Sequence, residues 1–406
     1  MLGPGGGNCC YGRDDGAVDQ AAELLSHDGQ ELLAWLSGQD VTPDRALRLA
    51  EELRGRYPPP LIAAALTQQS LRAAAAAKFS RADQMLFTRA GLEQASSEET
   101  ARQTAPRFAD LDVVADLCCG IGGNLAAIQS VARHVVAVDA DIATLRFARW
   151  NAAVYDSAAH VSPVCADVRD LHLDRGVHGV FIDPARRAGT RRVRAGDSEP
   201  PLDWCFRLAD EVPAVGIKAA PGVPHSTVPD GWEIEFIAVG RNLKEALLWS
   251  PALATTSRRA TILPAANTMV LQPGPAVPVA APGSYLLDPN PAITRAGLVA
   301  ELARELDAWQ IDPMIAFLST NDPVSTPFAR TLRVLESMPW HERQVARRLR
   351  ELDIGSADIR RRGLAGDVTQ IHRRLRLQGS KAATIVLTRR DDRPWGMICV
   401  DPEQAV

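Results

Sequence analysis

Apolar residues recur at spacings of three and four from Ala17 onward, first in "AVDQAAELLSHDGQELLAWL" and again in "PDRALRLAEELRGR". That is the period of amphipathic helices. Thr42-Pro43 supplies an N-cap and a proline at the first helical position. Ser96 followed by Glu99 has capping-box spacing. No strand-like alternation interrupts the stretch, so residues 17–107 read as a helical domain. The Gly-rich, polar residues 1–16 before it read as a disordered tail.

The period changes near residue 111. "LDVVADL", "HVVAVDA", "HVSPVCADV" and "GVFIDP" are short apolar runs rich in Val and Ile, separated by helix-like stretches such as "NLAAIQSVA" and "DIATLRFARWNAAVY". Strands alternating with helices imply a parallel sheet covered on both faces. "AVGIKAA", "WEIEFIAVG" and "RRATILP" extend the sheet, giving an α/β domain over 108–265. Residues 266–284 are rich in Pro, Ala and Gly and read as a linker. Residues 285–406 then mix helices ("ITRAGLVAELARELDAW", "WHERQVARRLREL") with strands ("MIAFLS", "AATIVLTR", "WGMICV"), as a separate α+β domain.

Composition narrows the class. The chain has 406 residues, 46% hydrophobic and 23% charged, with a net charge of −4. It is ordinary globular material with no overall pull toward nucleic acid or membrane. Seven cysteines, an odd number without a CxxC, form neither a disulfide framework nor a zinc site. A reducing cytoplasm is the simplest location, and no apolar run is long enough for a bilayer.

Candidate chemistry gathers where the strand runs end. "ADLCCGIGGN" follows the first run, with Asp116 closing the strand, Gly120 and Gly122 in the turn, and a helix starting near Asn124. Glycines there admit positive φ and close approach of a ligand to the backbone. A dinucleotide fingerprint wants a third glycine where Leu125 stands. An acidic residue four before the first glycine suits S-adenosylmethionine instead, since a carboxylate there binds the amino group of the methionine moiety. Asp139 ends the next run, seventeen residues after Gly122, and fits two ribose hydroxyls. Asp167 in "CADV" could accept from the adenine amino group or simply cap a turn. Asp183 ends the fourth run. Cys118 and Cys119 have no adjacent His and read as loop residues against the ligand rather than nucleophiles.

Together, "VVADLCCGIGGN", "AVDAD", "CADV" and "FIDPARR" resemble the class I (Rossmann-like) S-adenosylmethionine-dependent methyltransferases across about residues 80–265. "KFSRADQMLFTRAGLEQASSEETARQTAPRF" and the tail from Tyr285 are similar to actinobacterial methyltransferase-like proteins with a C-terminal THUMP-like domain. The resemblance implies S-adenosylmethionine as cofactor and, through THUMP domains, RNA as a partner. It also implies cofactor contacts from Asp116, Cys118, Gly120, Gly122, Asn124, Asp139 and Asp167.

Base-amino methyltransferases similar to this fold carry Asn/Asp-Pro-Pro-Tyr/Phe where this chain has Asp183-Pro184-Ala185-Arg186. The resemblance makes Asp183 and Pro184 the catalytic pair that orients a nitrogen or oxygen nucleophile. The stacking aromatic is replaced by Arg186. Arg186 and Arg187 read either as phosphate contacts or as solvated side chains. "DPARRAG" is also similar to the "DPPRAG" of RNA 5-methyluridine methyltransferases, whose reaction needs a cysteine at the end of the next strand. Here that strand reads "VGIKAAPG", and Cys205 lies earlier in a helical stretch, so carbon methylation is rejected. Lys218, a substrate-side candidate, and Glu245 line the same cleft or form a surface salt bridge. Arginines cluster from Arg343 to Arg393, which suggests an RNA surface or a solvated helix face; His372 within the cluster reads as packing. The expectation is a methyltransferase acting on a nitrogen or oxygen of tRNA or rRNA. The alternatives are a protein or small-molecule methyltransferase and a non-catalytic S-adenosylmethionine/RNA-binding protein. No metal site or membrane segment is expected, and the oligomeric state is left open.

Overall fold

The first helical run breaks at Ser26, whose hydroxyl accepts from the Gly29 N–H and so starts a new helix. The computed structural model describes residues 15–402 apart from Asp156, Ala158, 174–175, Arg186, 189–190, 193–197 and 365–366; nearly all of the expected tail lies outside the described residues. Asp15–Leu25 (α1), His27–Ser37 (α2), Pro43–Leu53 (α3) and Pro59–Ala75 (α4) bury the leucines that set the period, among them Leu24, Leu32, Leu33, Leu36 and Leu61. Arg89–Gln94 (α5) and Glu98–Thr104 (α6) follow. The cap of α6 falls one residue later than its spacing suggested. Ser97, and not Ser96, accepts from the Thr100 N–H, so Glu99 does not stand at the capping-box position.

Two compact units divide the chain: residues up to Glu233 with Ala246–Thr255, and Ile234–Glu245 with Thr256–Val406. In the first unit Val113–Leu117 (β1), His134–Asp139 (β2), His160–Cys165 (β3), Gly179–Ile182 (β4) and Ala214–Ala219 (β5) are parallel, in the order β3-β2-β1-β4-β5. Leu125–Ile128 (α7), Ile142–Val154 (α8) and Leu202–Glu211 (α9) alternate with them. This is the Rossmann-like arrangement that the family resemblance implies. Glu233–Val239 (β6) is the next strand. Asn242–Trp249 (β7) then runs antiparallel to β5, with Trp249 opposite Gly216. The strand at β7 was not legible, because "GRNLKE" opens it with polar and charged residues and hides the apolar "ALLW".

In the second unit Arg258–Leu263 (β8) pairs in parallel with β6, and Asn267–Val270 (β9) pairs antiparallel with β8, inside the stretch that composition marked as linker. Tyr285–Pro289 (β10), Leu318–Thr320 (β11), Ala329–Pro339 (β12), Ile354–Arg361 (β13), Lys381–Arg390 (β14) and Arg393–Val400 (β15) form a second sheet in the order β11-β10-β12-β15-β14-β13. Only the β13–β14 pairing is parallel among the strands so labelled. Glu342–Glu351 (α12) and Val368–Leu375 (α13) pack Val345, Leu349 and Leu375 on one face of this sheet; Leu286, Phe317 and Met397 fill the other. The single helix expected over "ITRAGLVAELARELDAW" is two, Pro291–Ala296 (α10) and Val299–Glu305 (α11), because Gly297 adopts φ 71° and ends the first in a left-handed cap. No helix among the described residues is long and apolar enough to cross a membrane.

Candidate active site

Strand register assembles the site. Leu117, Val138, Ile182 and Ile217 stand side by side across β1, β2, β4 and β5. The next residue on each strand is therefore Cys118, Asp139, Asp183 and Lys218, one row at the carboxyl edge of the sheet. Asp116 lies two residues before Cys118 and shares its parity. Four of the residues singled out from sequence thus meet in one place through backbone pairing alone. Ligands of open α/β sheets bind at this edge.

Asp116 is 1% exposed, and neither carboxylate oxygen has a hydrogen-bond partner among the described residues. Burial drives its carboxyl well above the ordinary range, and the nearby Asp183 and Asp139 add to the shift; Lys218 opposes it. A buried acid without a donor is costly to a fold. It suits a cation delivered by a ligand.

Asp139 is better satisfied. Its Oδ2 accepts from the Gly120 N–H at 2.9 Å and its Oδ1 from the Asp141 N–H at 3.0 Å. Burial still pushes its carboxyl up. Asp141 in turn caps α8, accepting from Ala143 and Thr144.

The turn between Asp116 and α7 is held in unusual backbone geometry. Cys118 takes φ 56°, a conformation that costs a side-chain-bearing residue on the order of 1–3 kcal/mol. Gly122 takes φ 85°, and a Cβ there would lie 3.2 Å from the Ala148 backbone on α8. The Cys118 and Cys119 thiols are pushed well up by burial and by the surrounding carboxylates, so neither is poised as a thiolate. Cys205 is fully buried on α9 with its thiol pushed up to about 12, which agrees with the rejection of cysteine-first carbon methylation.

The turn is gripped from the helical side by a residue that sequence reasoning missed. Asn151 on α8 is fully buried. It donates to the carbonyls of Ile121 and Leu86, at 2.9 and 2.8 Å, and accepts from the Leu86 N–H at 2.7 Å. Ile121 itself enters the apolar cluster of Leu71, Phe79, Met85, Phe87 and Leu92. The sequence carried one faint signal for this: a lone Asn among the apolar residues of "WNAAV" in the helix. Asn124 is also buried. Its Nδ2 reaches Ser96 at 3.3 Å, and its Oδ1 has no partner among the described residues.

Asp183 ends β4, and its Oδ2 accepts from Lys218 Nζ at 2.6 Å. The lysine side chain is 4% exposed and the aspartate side chain 25%. Lys218 and Glu245 are both buried, so the surface alternative does not hold for either. Pro184 is buried, and Ala185 exchanges both backbone hydrogen bonds with Glu199, at 2.9 and 3.0 Å, which pins the start of the loop. Arg186 lies outside the described residues, as does the side chain of Arg187, whose backbone pairs with Arg192.

Asp167 stands apart from these contacts. It caps a short turn and is bidentate to Arg169, at 3.0 and 2.6 Å, and this pairing holds its carboxyl below the ordinary range. Arg169 also reaches Glu199. In the second unit a cavity of about 400 Å³ is lined by Arg330, Asp358, His372, Thr384 and Asp401 among others. Arg330 there is already bonded to Asp401 at 3.0 and 3.1 Å.

The row of carboxylates at a Rossmann-like edge fits S-adenosylmethionine: a buried anion for an ammonium, a second for ribose hydroxyls, and a glycine turn for close approach. Comparison with known proteins supports S-adenosylmethionine as the cofactor. Residues 111–193 match the family described as RNA cap guanine-N2 methyltransferase, residues 329–400 match the THUMP domain-like family, and residues 15–75 match a domain of unknown function. The crystal structure of a candidate methyltransferase from Porphyromonas gingivalis W83 is similar in fold, with a TM-score of 0.72 at 19% identity, covering 93% of this chain and 100% of that one. Two Mycobacterium tuberculosis proteins, from strains CDC 1551 / Oshkosh and ATCC 25618 / H37Rv, are each named as an uncharacterised S-adenosylmethionine-dependent methyltransferase. Each is 38% identical over 316 residues, 75% of this chain and 85% of its own length. The chain belongs to the S-adenosylmethionine-dependent methyltransferases, and it carries a THUMP domain-like region at its C-terminal end.

Proposed function

We propose that the enzyme transfers a methyl group to a nitrogen or oxygen of RNA, with tRNA and rRNA as the candidate substrates. The observation that carries the reading is Asp183-Pro184 at the end of β4, in the same row as Asp139 and beside the buried Asp116. S-adenosylmethionine supplies a methyl on a sulfonium, a good leaving group, so the protein chiefly aligns the nucleophile. Asp116 would hold the amino group of the donor, Asp139 its ribose, and Gly120, Gly122, Cys118 and Asn124 the turn that wraps it. Asp167, bound as it is to Arg169, would meet the adenine only through whatever capacity its oxygens retain. Asp183 accepts a hydrogen bond from the nucleophile and so turns its lone pair toward the methyl; Pro184 stiffens that edge. Arg186, Arg187 and the arginines after Arg343 are offered as phosphate contacts. The division into helical (17–107), methyltransferase (108–265) and THUMP-like (285–406) regions belongs to the same proposal.

RNA as the acceptor rests on two supports. One is the match to an RNA methyltransferase family across the catalytic sheet; the other is the THUMP domain-like match across the basic C-terminal stretch. One observation favours a protein or small-molecule acceptor instead. Many C-terminal arginines are committed to acids of their own unit: Arg348 to Glu336, Arg362 to Asp288, and Arg330 to Asp401. The deciding experiment gives methyl-labelled S-adenosylmethionine and purified enzyme to the RNA, protein and metabolite fractions of a deletion strain. Label in RNA is expected; label in protein alone overturns the reading.

A further inference from the structure

Lysine is scarce in this chain, with Lys78, Lys218, Lys244 and Lys381 against many arginines, yet one of the four is buried in the site. Taking an ammonium out of water is expensive unless a paired anion compensates it. Lys218 has that anion in Asp183, at 2.6 Å. Three carboxylates, Asp116, Asp139 and Asp183, share this edge with it. Their roles differ, because the donor brings two positive centres, an ammonium and a sulfonium. The sulfur lies between the amino-acid part and the ribose in the covalent structure of the donor. A donor held by Asp116 and Asp139 therefore carries its sulfonium at the ends of β1 and β2, and Asp183 stands at the end of β4, the strand next to β1.

An uncompensated carboxylate at Asp183 would attract the sulfonium in the ground state. That attraction vanishes as the methyl leaves and the sulfur becomes neutral, so it would hold back the reaction. Resting on the reading of the site given above, we propose that Lys218 is a positioning residue: it cancels the charge of Asp183 while fixing its Oδ2, so that the aspartate orients a neutral hydrogen-bond-donating acceptor instead of acting as counter-ion to the methyl donor. Asp183 Oδ1, for which no bond is seen among the described residues, is the oxygen left for the acceptor.

The test needs no knowledge of the acceptor. S-adenosylmethionine and S-adenosylhomocysteine differ at the sulfur by one methyl and one positive charge. Calorimetric affinities of the full chain for each give a ratio that reads the charge near the sulfur. Lys218→Met is expected to raise the preference for S-adenosylmethionine by roughly tenfold, as one uncompensated charge at short range does. Asp183→Asn removes one negative charge beside the Lys218 ammonium and is expected to lower the preference by a similar factor. The double variant returns it toward the wild-type value, and Lys218→Arg keeps it there. A general loss of packing would weaken both ligands together and could not shift the ratio in opposite directions. Equal weakening of both by Lys218→Met, or a ratio unmoved in both single variants, overturns the proposal. Should Lys218→Met not fold, the fall in Asp183→Asn still decides. Wild-type protein that binds neither ligand overturns the reading of the site as well, whereas binding with an unmoved ratio overturns the role of Lys218 alone.

Discussion

Removing the Asp116 side chain should make the ligand-free protein more stable and the cofactor bind less well. In Asp116→Ala two buried oxygens without partners disappear. An unsatisfied buried polar group costs about 1–3 kcal/mol, and more when charged. At about 2–4 °C per kcal/mol for a domain of this size, the ligand-free melting temperature should rise by several degrees. The same change deletes a charge-assisted hydrogen bond worth about 1.5–3 kcal/mol, so S-adenosylhomocysteine should bind roughly 10- to 100-fold more weakly. Proton linkage gives a second signature. The folded carboxyl lies well above the ordinary value of 3.8, so the ligand-free fold binds this proton more tightly than the unfolded chain does. Its stability contribution is therefore unfavourable above the raised value. It is relieved as pH falls through that value, fully so below the unfolded one. An ammonium ligand needs the ionised form, so wild-type binding should release a proton and strengthen with rising pH up to the raised value. Asp116→Ala should show neither effect. Thermal melts without ligand, together with calorimetry in two buffers of different ionisation enthalpy, measure all three. Unchanged affinity, or a ligand-free melting temperature several degrees lower, would refute the reasoning.

Other expectations follow from neighbouring contacts. Asp183→Ala should lower methyl transfer to the labelled fraction by about 100-fold or more, the scale on which misplaced reactants act; an unchanged rate would remove its role as orienting group. Asn151→Leu should cost about 2–4 kcal/mol in urea unfolding, because three bonds to buried backbone groups are lost; a loss under 1 kcal/mol would show that the clamp is dispensable. Gly122→Ala should abolish S-adenosylhomocysteine binding with little loss of far-UV dichroism, since its φ of 85° and the 3.2 Å approach of Ala148 force the turn to move. Cys205, with its thiol pushed up to about 12, should resist iodoacetamide at pH 8 in the folded protein and react on unfolding, as mass spectrometry would show. If the C-terminal arginines contact phosphate, affinity for total tRNA should fall steeply between 50 and 200 mM salt; a flat dependence would assign them to ion pairs within their own unit.

The parallel sheet was legible because its first four strands are short Val/Ile-rich runs leading to an Asp, with a helical period between them. The meeting of Asp116, Asp139 and Asp183 followed from that order, since parallel strands bring their ends to one edge. What stayed hidden was decided by contacts remote in sequence. The pairing of Lys218 with Asp183 spans 35 residues and depends on the neighbouring places of β4 and β5. The Asn151 clamp spans 65 residues, and Asn gives no period by which to find it. Polar openings concealed β7, and charged residues interleaved along β12 concealed that strand altogether. The cap formed by Asp167 was readable as one of two options, beside a contact to adenine, whereas its engagement by Arg169 was not foreseen.

The insertion of Ile121 into the cluster of Phe79, Met85 and Phe87 bears on how this protein can be inherited and rebuilt. A domain swap that replaced the N-terminal helices with those of a distant relative would break the socket in which the glycine turn is seated. Helices and turn must therefore diverge together. A substitution at Met85 or Phe87, far from any ligand in the sequence, should register first as altered donor affinity and only second as lost stability.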